Sequence, residues 1–323
     1  MNKITVAYAP DVNMLPLTLV SMASILHNAK KTDEIEFVIM YSPANLPEKY
    51  LHTFGNLQGI KNYSLNMVKI DQSIFDGFPC PNWVTVEAWY RCLLADLLPD
   101  NEKVLYLDCD TIVRSSLSDL FKTDLEANLV GVIEDVSKSK DNSERIALND
   151  NFYFISGVLL INLKAWRKAD FFNKLKNIVM TDVKVTNDQD ALNKTCDGLK
   201  CRLSPKYDYM HVWWRKNEHQ YDEKYAKEFV KAEENPVIVH FTGVKPNNPA
   251  CKIKFCHEYQ EYSKLVPAYD LLQKEIGSKK TGKGREKLSL WKRIFWIEKS
   301  TDRKHWYISL LGFTFKIKCK VSQ

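Results

Sequence analysis

No stretch of about 18 consecutive apolar residues occurs in the 323-residue sequence, so no segment is predicted to cross a bilayer as a helix. The opening "MNKITVAYAPDVNMLP" lacks an uninterrupted apolar core, and no secretory leader is predicted from it. Closely spaced cysteine pairs are also missing. The eight cysteines are scattered, and Cys196/Cys201 and Cys251/Cys256 are each separated by four residues, too wide for a structural zinc site. The expectation is of reduced thiols in a cytoplasmic protein. There is no internal repeat, and no nucleic-acid-binding module accompanies the basic residues, so no nucleic-acid partner is expected.

What is present is ordinary for a globular chain: 45% hydrophobic and 27% charged residues, enough length for one large α/β domain or two smaller ones. The charge, however, is unevenly placed. Residues 278–323 carry thirteen Lys/Arg against three Asp/Glu, an excess of +10, which leaves −4 on the rest of a chain whose total is +6. A Gly/Lys-rich segment, "GSKKTGKGREK" (277–287), precedes this tail and is the predicted boundary between a domain at 1–276 and an extension at 277–323.

Along the first part, strand-like and helix-like patterns alternate. "KITVAYA" (3–9), "IEFVIMYS" (35–42), "NMVKID" (66–71) and "KVLYLD" (103–108) read as strands. "MLPLTLVSMASILHNA" (14–29), "LPEKYLHTFGNL" (46–57) and "TVEAWYRCLLADLLP" (85–99) read as the helices between them, the first with Leu15, Leu19, Met22, Ala23 and Leu26 on one face. Further strands are expected within 128–135, 154–163 and 236–243, and a helix opens near Asp188 and Asp190, whose charges suit a helix N-terminus. Residues 197–236 read as aromatic and irregular. The alternation predicts an α/β fold with a mostly parallel sheet covered on both faces, whose ligands sit beyond the carboxyl ends of its strands.

At such an end lies "LDCDTIV". In an extended segment residues i and i+2 project to the same side, so Asp108 and Asp110 can aim two oxygen ligands at one point. Two anions this close repel unless a cation lies between them, and hard oxygen donors suit Mg²⁺ or Mn²⁺. Taken alone, the pair also fits a capped turn beside a solvated acid. Two chemistries use a strand running into D-x-D: a nucleotide-sugar transferase, and a haloacid-dehalogenase-type phosphatase with Asp108 as nucleophile and Asp110 as acid. The phosphatase also needs a later acidic pair following Gly-Asp, and residues 113–276 offer none.

"WYRCLLADLLPDNEKVLYLDCDTIV", "YFISGVLLINL", "NDQDALN" and "HFTGVKP", in that order, resemble glycosyltransferase family 8, and within it bacterial lipopolysaccharide galactosyl- and glucosyltransferases. The likeness runs from about residue 3 to residue 260. It implies a GT-A (Rossmann-like) fold, a UDP-hexose donor, a Mn²⁺-type metal and transfer with retention of configuration. By position, Asp108, Asp110 and His240 match the family's metal ligands, and Gly243 and Lys245 its diphosphate contacts. Ala9, Asp11 and Asn13 match the uridine pocket; Arg91 lies close to the donor sugar, and Asp135 and Asp188 match acids that bond sugar hydroxyls. Gln189 matches the polar group nearest the anomeric carbon, with Asp188 the nearest acid to it in sequence. Relatives have Asn-Ala-Gly where this chain has Ile155-Ser156-Gly157, and Trp where it has Asn247; Ser156 is expected to compensate in part for the missing amide. A catalytically silent UDP-sugar-binding relative is the alternative that Ile155 keeps open.

The tail mixes Trp291, Phe295, Trp296, Trp306, Phe313 and Phe315 with lysines and arginines, and Leu288, Trp291, Ile294 and Phe295 follow helical spacing. Such composition suits an anionic membrane surface. The expected location is therefore peripheral, on the inner face of the cytoplasmic membrane, with a saccharide acceptor that is lipid-linked, such as lipopolysaccharide core.

Overall fold

Residues 2–135, 139–210, 223–248, 251, 253–282, 295–299, 305–310 and 313–318 are described by a computed structural model. Two compact units divide the chain, Met1–Tyr269 and Asp270–Gln323.

The strands described in the first unit come in chain order as β1 (Asn2–Tyr8), β2 (Asp33–Tyr41), β3 (Tyr63–Lys69), β4 (Lys103–Leu107), β5 (Thr111–Val113), β6 (Val130–Val132), β7 (Val158–Asn162), β8 (Lys200–Arg202) and β9 (Ile238–His240), β5 and β9 forming a two-stranded ladder of their own. Seven of them form one sheet in the order β3-β2-β1-β4-β7-β6-β8. All neighbours are parallel except β7, which runs against both β4 and β6. Strands buried on both faces need continuous apolar runs, and Val104, Leu105, Tyr106 and Leu107 are accordingly all buried. The expected mixed, mostly parallel sheet flanked by helices is what forms.

Several local expectations change. The helix Leu15–Asn28 buries the predicted stripe, but Leu17, Val20, Ser21, Ser24 and Ile25 on its other sides are buried too. It is enclosed because β5 packs on it: Ser21 Oγ lies 2.9 Å from Thr111 Oγ1, and Ser24 Oγ accepts from the Val113 N–H at 2.8 Å. The segment 46–57 forms a 3₁₀ helix, Glu48–Gly55. The predicted continuous helix 85–99 breaks into Glu87–Tyr90, a 3₁₀ turn Arg91–Leu93, and Leu94–Leu97. Arg91 Nε donates to the Ala88 carbonyl at 2.7 Å, occupying an acceptor that an unbroken helix offers to residue 92. Within the stretch read as irregular, β8 and the helix Glu223–Glu234 form; residues 211–222 lie outside the described residues.

Thiol chemistry also departs from expectation. Cys251 and Cys256 are joined as a disulfide, whereas Cys80, Cys92, Cys109, Cys196 and Cys201 are free. A turn closed by the Cys256 N–H on the Ile253 carbonyl (3.1 Å) returns the chain toward Cys251.

In the second unit, β10 (Phe295–Lys299), β11 (His305–Leu310) and β12 (Phe313–Lys318) form an antiparallel sheet. Its register aligns Phe295, Leu310 and Phe313 in one row, and Ile297, Ile308 and Phe315 in another. Phe295 is thus in a strand rather than the helix its spacing suggested; Leu288, Trp291 and Ile294 lie outside the described residues. The expected boundary at 277 falls inside the helix Tyr269–Gly282. Among the described residues, no helix is long and apolar enough to cross a membrane.

Candidate active site

The two aspartates and the distant imidazole meet through backbone pairing. After β4 the chain turns: the Asp108 N–H donates to the Gly157 carbonyl (2.7 Å), and Thr111 Oγ1 donates to the Asp108 carbonyl (3.0 Å). The chain then enters β5, which pairs antiparallel with β9 so that Thr111 faces His240. One residue on, the Phe241 N–H donates to the Asp110 carbonyl at 2.9 Å. His240 Nε2 therefore lies 3.4 Å from Asp110 Oδ1 and 3.7 Å from Asp108 Oδ2. One ligand atom from each of the three residues falls within 4.8 Å of the others.

Charge in this cluster is tightly coupled. Burial pushes the Asp110 carboxyl up, but His240 and Lys245 outweigh it and hold the group well below the usual carboxylate range. Lys245 Nζ rests directly on Asp110 Oδ2. Burial works against a charged His240, yet Asp110 and Asp208 raise the imidazole well above its ordinary range. Arg91, itself buried, reaches Asp108 and Asp188 at 3.4 Å each and donates to the Ser156 carbonyl. Burial opposes its charge; Tyr106, Asp108 and Asp188 restore it. Asp188 is raised, because its burial exceeds what Arg91 gives back.

These donors fit a divalent cation. Two carboxylates and an imidazole are a hard-to-borderline oxygen and nitrogen set, suited to Mn²⁺ or Mg²⁺. The space is also reserved: a Cβ at Gly157 would overlap His240 Cε1 and come within 2.9 Å of Asp108 Oδ2.

The cluster forms one wall of a cleft of about 800 Å³. Of the other predicted residues, Ala9, Arg91, Asp135, Ser156, Asp188, Gln189, Gly243 and Lys245 line the same cleft. Gly243 has φ +82°, the left-handed region that favours glycine. The helix Asp188–Thr195 is capped by Asn187, whose side chain accepts from the Asp190 N–H at 2.8 Å, and this presents Asp188 and Gln189 at the cleft. Gln189 Oε1 accepts from the Ser156 N–H at 3.0 Å. Ile155, the apolar departure, lines the cleft as well.

Asp11 and Asn13 are not among the lining residues. They bond each other (3.1 Å) and start the helix Leu15–Asn28, with Asp11 Oδ1 accepting from the Met14 N–H at 2.8 Å.

Three features escaped the sequence reading. Gly157 matches the glycine of the family's Asn-Ala-Gly, but nothing local shows that an imidazole needs the space beside it. Asp208, whose Oδ1 lies 3.0 Å from His240 Nδ1, sits among tyrosines with no motif around it. Asp190 is a buried hub that accepts from Arg145, Tyr153 and Thr186, so the helix N-terminus is anchored as well as charge-matched.

Comparison with known proteins identifies the family and the fold. The profile of glycosyl transferase family 8 matches residues 5–248. General stress protein A of Bacillus subtilis is 28% identical over 205 residues, 61% of this chain and 72% of that protein. A lipopolysaccharide 1,2-glucosyltransferase of Escherichia coli is 24% identical over 299 residues, 90% of this chain and 86% of its own. Among solved structures, the galactosyltransferase LgtC in complex with donor and acceptor sugar analogues superposes with a TM-score of 0.73 at 26% identity, covering 82% of this chain and 96% of LgtC. The mixed sheet of the first unit is the GT-A arrangement, and the phosphatase alternative falls away. With three quarters of its length matched by the profile, the chain belongs to glycosyl transferase family 8.

Proposed function

We propose that this chain transfers galactose or glucose from a UDP-hexose to a hydroxyl of a saccharide acceptor, with retention of anomeric configuration. The observation that carries the proposal is the convergence of Asp108, Asp110 and His240 in a cleft at the carboxyl edge of the sheet. Those three residues would hold Mn²⁺ or Mg²⁺. When bound, the ion supplies positive charge that stabilises the departing diphosphate.

In this reading the protein's own groups divide the work. Gly243 lets the backbone approach the diphosphate closely, and Lys245 moves its ammonium from Asp110 to the leaving phosphate oxygens. Ala9, a lining residue, is assigned to the uridine end together with Asp11 and Asn13, which lie outside the cleft lining and whose mutual bond holds both side chains. Arg91, pinned between Asp108 and Asp188, holds the sugar side of the cleft, with Asp135 and Asp188 as hydroxyl partners. Gln189, oriented by the Ser156 N–H, lies nearest the anomeric carbon. The acceptor oxygen attacks C1 on the face that UDP leaves. The C1–O bond to UDP breaks, the C1–O bond to the acceptor forms, and the acceptor proton passes to a phosphate oxygen of UDP. A same-face route suits these residues because an amide such as Gln189 is a weak nucleophile and Asp188 is committed to Arg91.

Lipopolysaccharide or lipooligosaccharide core is the proposed acceptor, supported by the name of the Escherichia coli relative. Residues 278–323 are proposed to hold the enzyme on the anionic inner face of the cytoplasmic membrane. Their +10 excess and the aligned apolar rows of β10–β12 support this. A second reading, binding of a UDP-sugar without turnover, is favoured by one observation: Ile155 lines the cleft where relatives place an amide.

Incubating the protein with Mn²⁺ and each UDP-hexose in turn tests both. UDP formation with one donor is the expected result. Donor binding with no UDP formed, even with oligosaccharide acceptors present, selects the silent reading, and neither binding nor turnover overturns the proposal.

A further inference from the structure

Asp208 belongs to none of the motifs that mark the site, yet it is fully buried against it. It follows a 3₁₀ turn, Pro205–Tyr207, and the next residue, Tyr209, bridges in parallel to Val239. The Tyr209 N–H donates to the Ile238 carbonyl and the His240 N–H to the Tyr209 carbonyl, both at 3.0 Å. Backbone bonds thus hold Asp208 and His240 side by side. One oxygen, Oδ1, stands 3.0 Å from His240 Nδ1; the other, Oδ2, is buried with no hydrogen-bond partner among the described residues. A buried carboxylate left half-satisfied is costly. It persists here opposite a ring whose far nitrogen faces Asp108 and Asp110.

We propose that Asp208 is the positioning residue of the cation site. By accepting the Nδ1 proton it fixes the tautomer in which Nε2 carries the lone pair, and it aims that lone pair at the gap between the two aspartates. Gly157 packs against the Cε1 edge of the ring, where no Cβ fits. A histidine that binds a metal commonly donates its second N–H to such a carboxylate, and loss of that partner weakens metal binding about 10- to 100-fold. The inference rests on the cation-binding reading of Asp108, Asp110 and His240.

The test is binding of Mn²⁺ alone to the full chain, followed by the paramagnetic resonance signal of free Mn²⁺, for wild type and Asp208→Asn. Asn keeps the shape and loses the charge. The expected result is a dissociation constant about 10-fold or more above wild type. The rise in melting temperature that Mn²⁺ gives the wild type should shrink in parallel, a change that a merely structural role does not produce. A folded Asp208→Asn that binds Mn²⁺ within twofold of wild type overturns this inference alone; a wild-type protein that binds no Mn²⁺ overturns the cation reading together with it. If the variant does not fold, ¹⁵N-histidine NMR of the wild type loaded with Cd²⁺ decides. A proton on His240 Nδ1 with Nε2 bound to the ion supports the assignment, and coordination through Nδ1 overturns it.

Discussion

Thr111 and His240 stand directly opposite each other in the β5–β9 ladder, and through that pairing an imidazole 130 residues from Asp110 arrives beside it. The ladder is itself anchored from behind by Ser21 and Ser24 of a helix buried from Leu15 to Leu26. The three candidate ligands are therefore placed by backbone hydrogen bonds and helix packing, so preorganisation of the site is a property of the fold.

Gly157→Ala tests how closely that space is fitted. The added methyl meets His240 Cε1, on a ring that contacts Asp208, and Asp108 Oδ2, on a carboxylate paired with Arg91. Overpacking of this kind costs about 1–3 kcal/mol, so the variant is expected to fold with a lowered melting temperature. Mn²⁺ binding should fall at least tenfold, measured by calorimetric titration; unchanged affinity contradicts the cradle.

Arg91 is a structural cation as well as a lining residue. Removing it as Arg91→Met leaves Asp108 and Asp188 facing each other without their shared partner. Breaking a buried pair of this type costs about 3–5 kcal/mol, readable in urea unfolding. Arg91→Lys should recover only part of the loss, because a compact ammonium with three donors cannot replace the four contacts of the planar guanidinium, to Ala88, Ser156, Asp108 and Asp188.

Asp190 gives a pH signature. Burial pushes its carboxyl up, but bonds from Arg145, Tyr153 and Thr186 outweigh this and leave it below its ordinary value. A depressed carboxyl contributes stability above its unfolded pKa, about 3.9, and that contribution is lost as pH falls through the lower folded value. Asp190→Asn should therefore unfold about 2 kcal/mol more easily than wild type at pH 7, with the gap narrowing below about pH 4. Urea unfolding at the two pH values checks it; a gap that widens on acidification contradicts the assignment.

The sheet and the acidic pair were legible because each is written locally. The apolar run Val104–Leu107 ends at two aspartates, and a parallel strand buried on both faces permits little else. Family likeness supplied His240 as the match for a third ligand, but the partner that makes the meeting possible, the three-residue strand Thr111–Val113, is too short to carry a pattern. Asp208 was invisible for a related reason: its role depends on a bridge to β9, a contact across 32 residues. The helix Glu223–Glu234 did carry a signal, Phe229 and Ala232 spaced to share a face in a Lys/Glu-rich stretch, and the aromatic residues before it masked that pattern. In the tail, Phe295 shows that helical spacing in a short aromatic run does not fix a helix.

Membrane attachment through the tail predicts a salt-sensitive interaction. Full-length protein should sediment with vesicles containing anionic phospholipid at low ionic strength and release as salt is raised, since each Lys or Arg near such a surface contributes about 1 kcal/mol that salt screens. A chain ending at residue 276 should not bind the vesicles. Full-length protein that ignores anionic vesicles at low salt contradicts the assignment.

The central claim is that Asp108, Asp110 and His240 hold a divalent cation against a nucleotide diphosphate. The most direct measurement is anomalous diffraction at the manganese edge from crystals soaked with Mn²⁺ and UDP. One peak is predicted, about 2.1 Å from carboxylate oxygens of both aspartates and from His240 Nε2, with diphosphate oxygens completing the shell. A peak elsewhere, or UDP bound with no peak at these three residues, contradicts it.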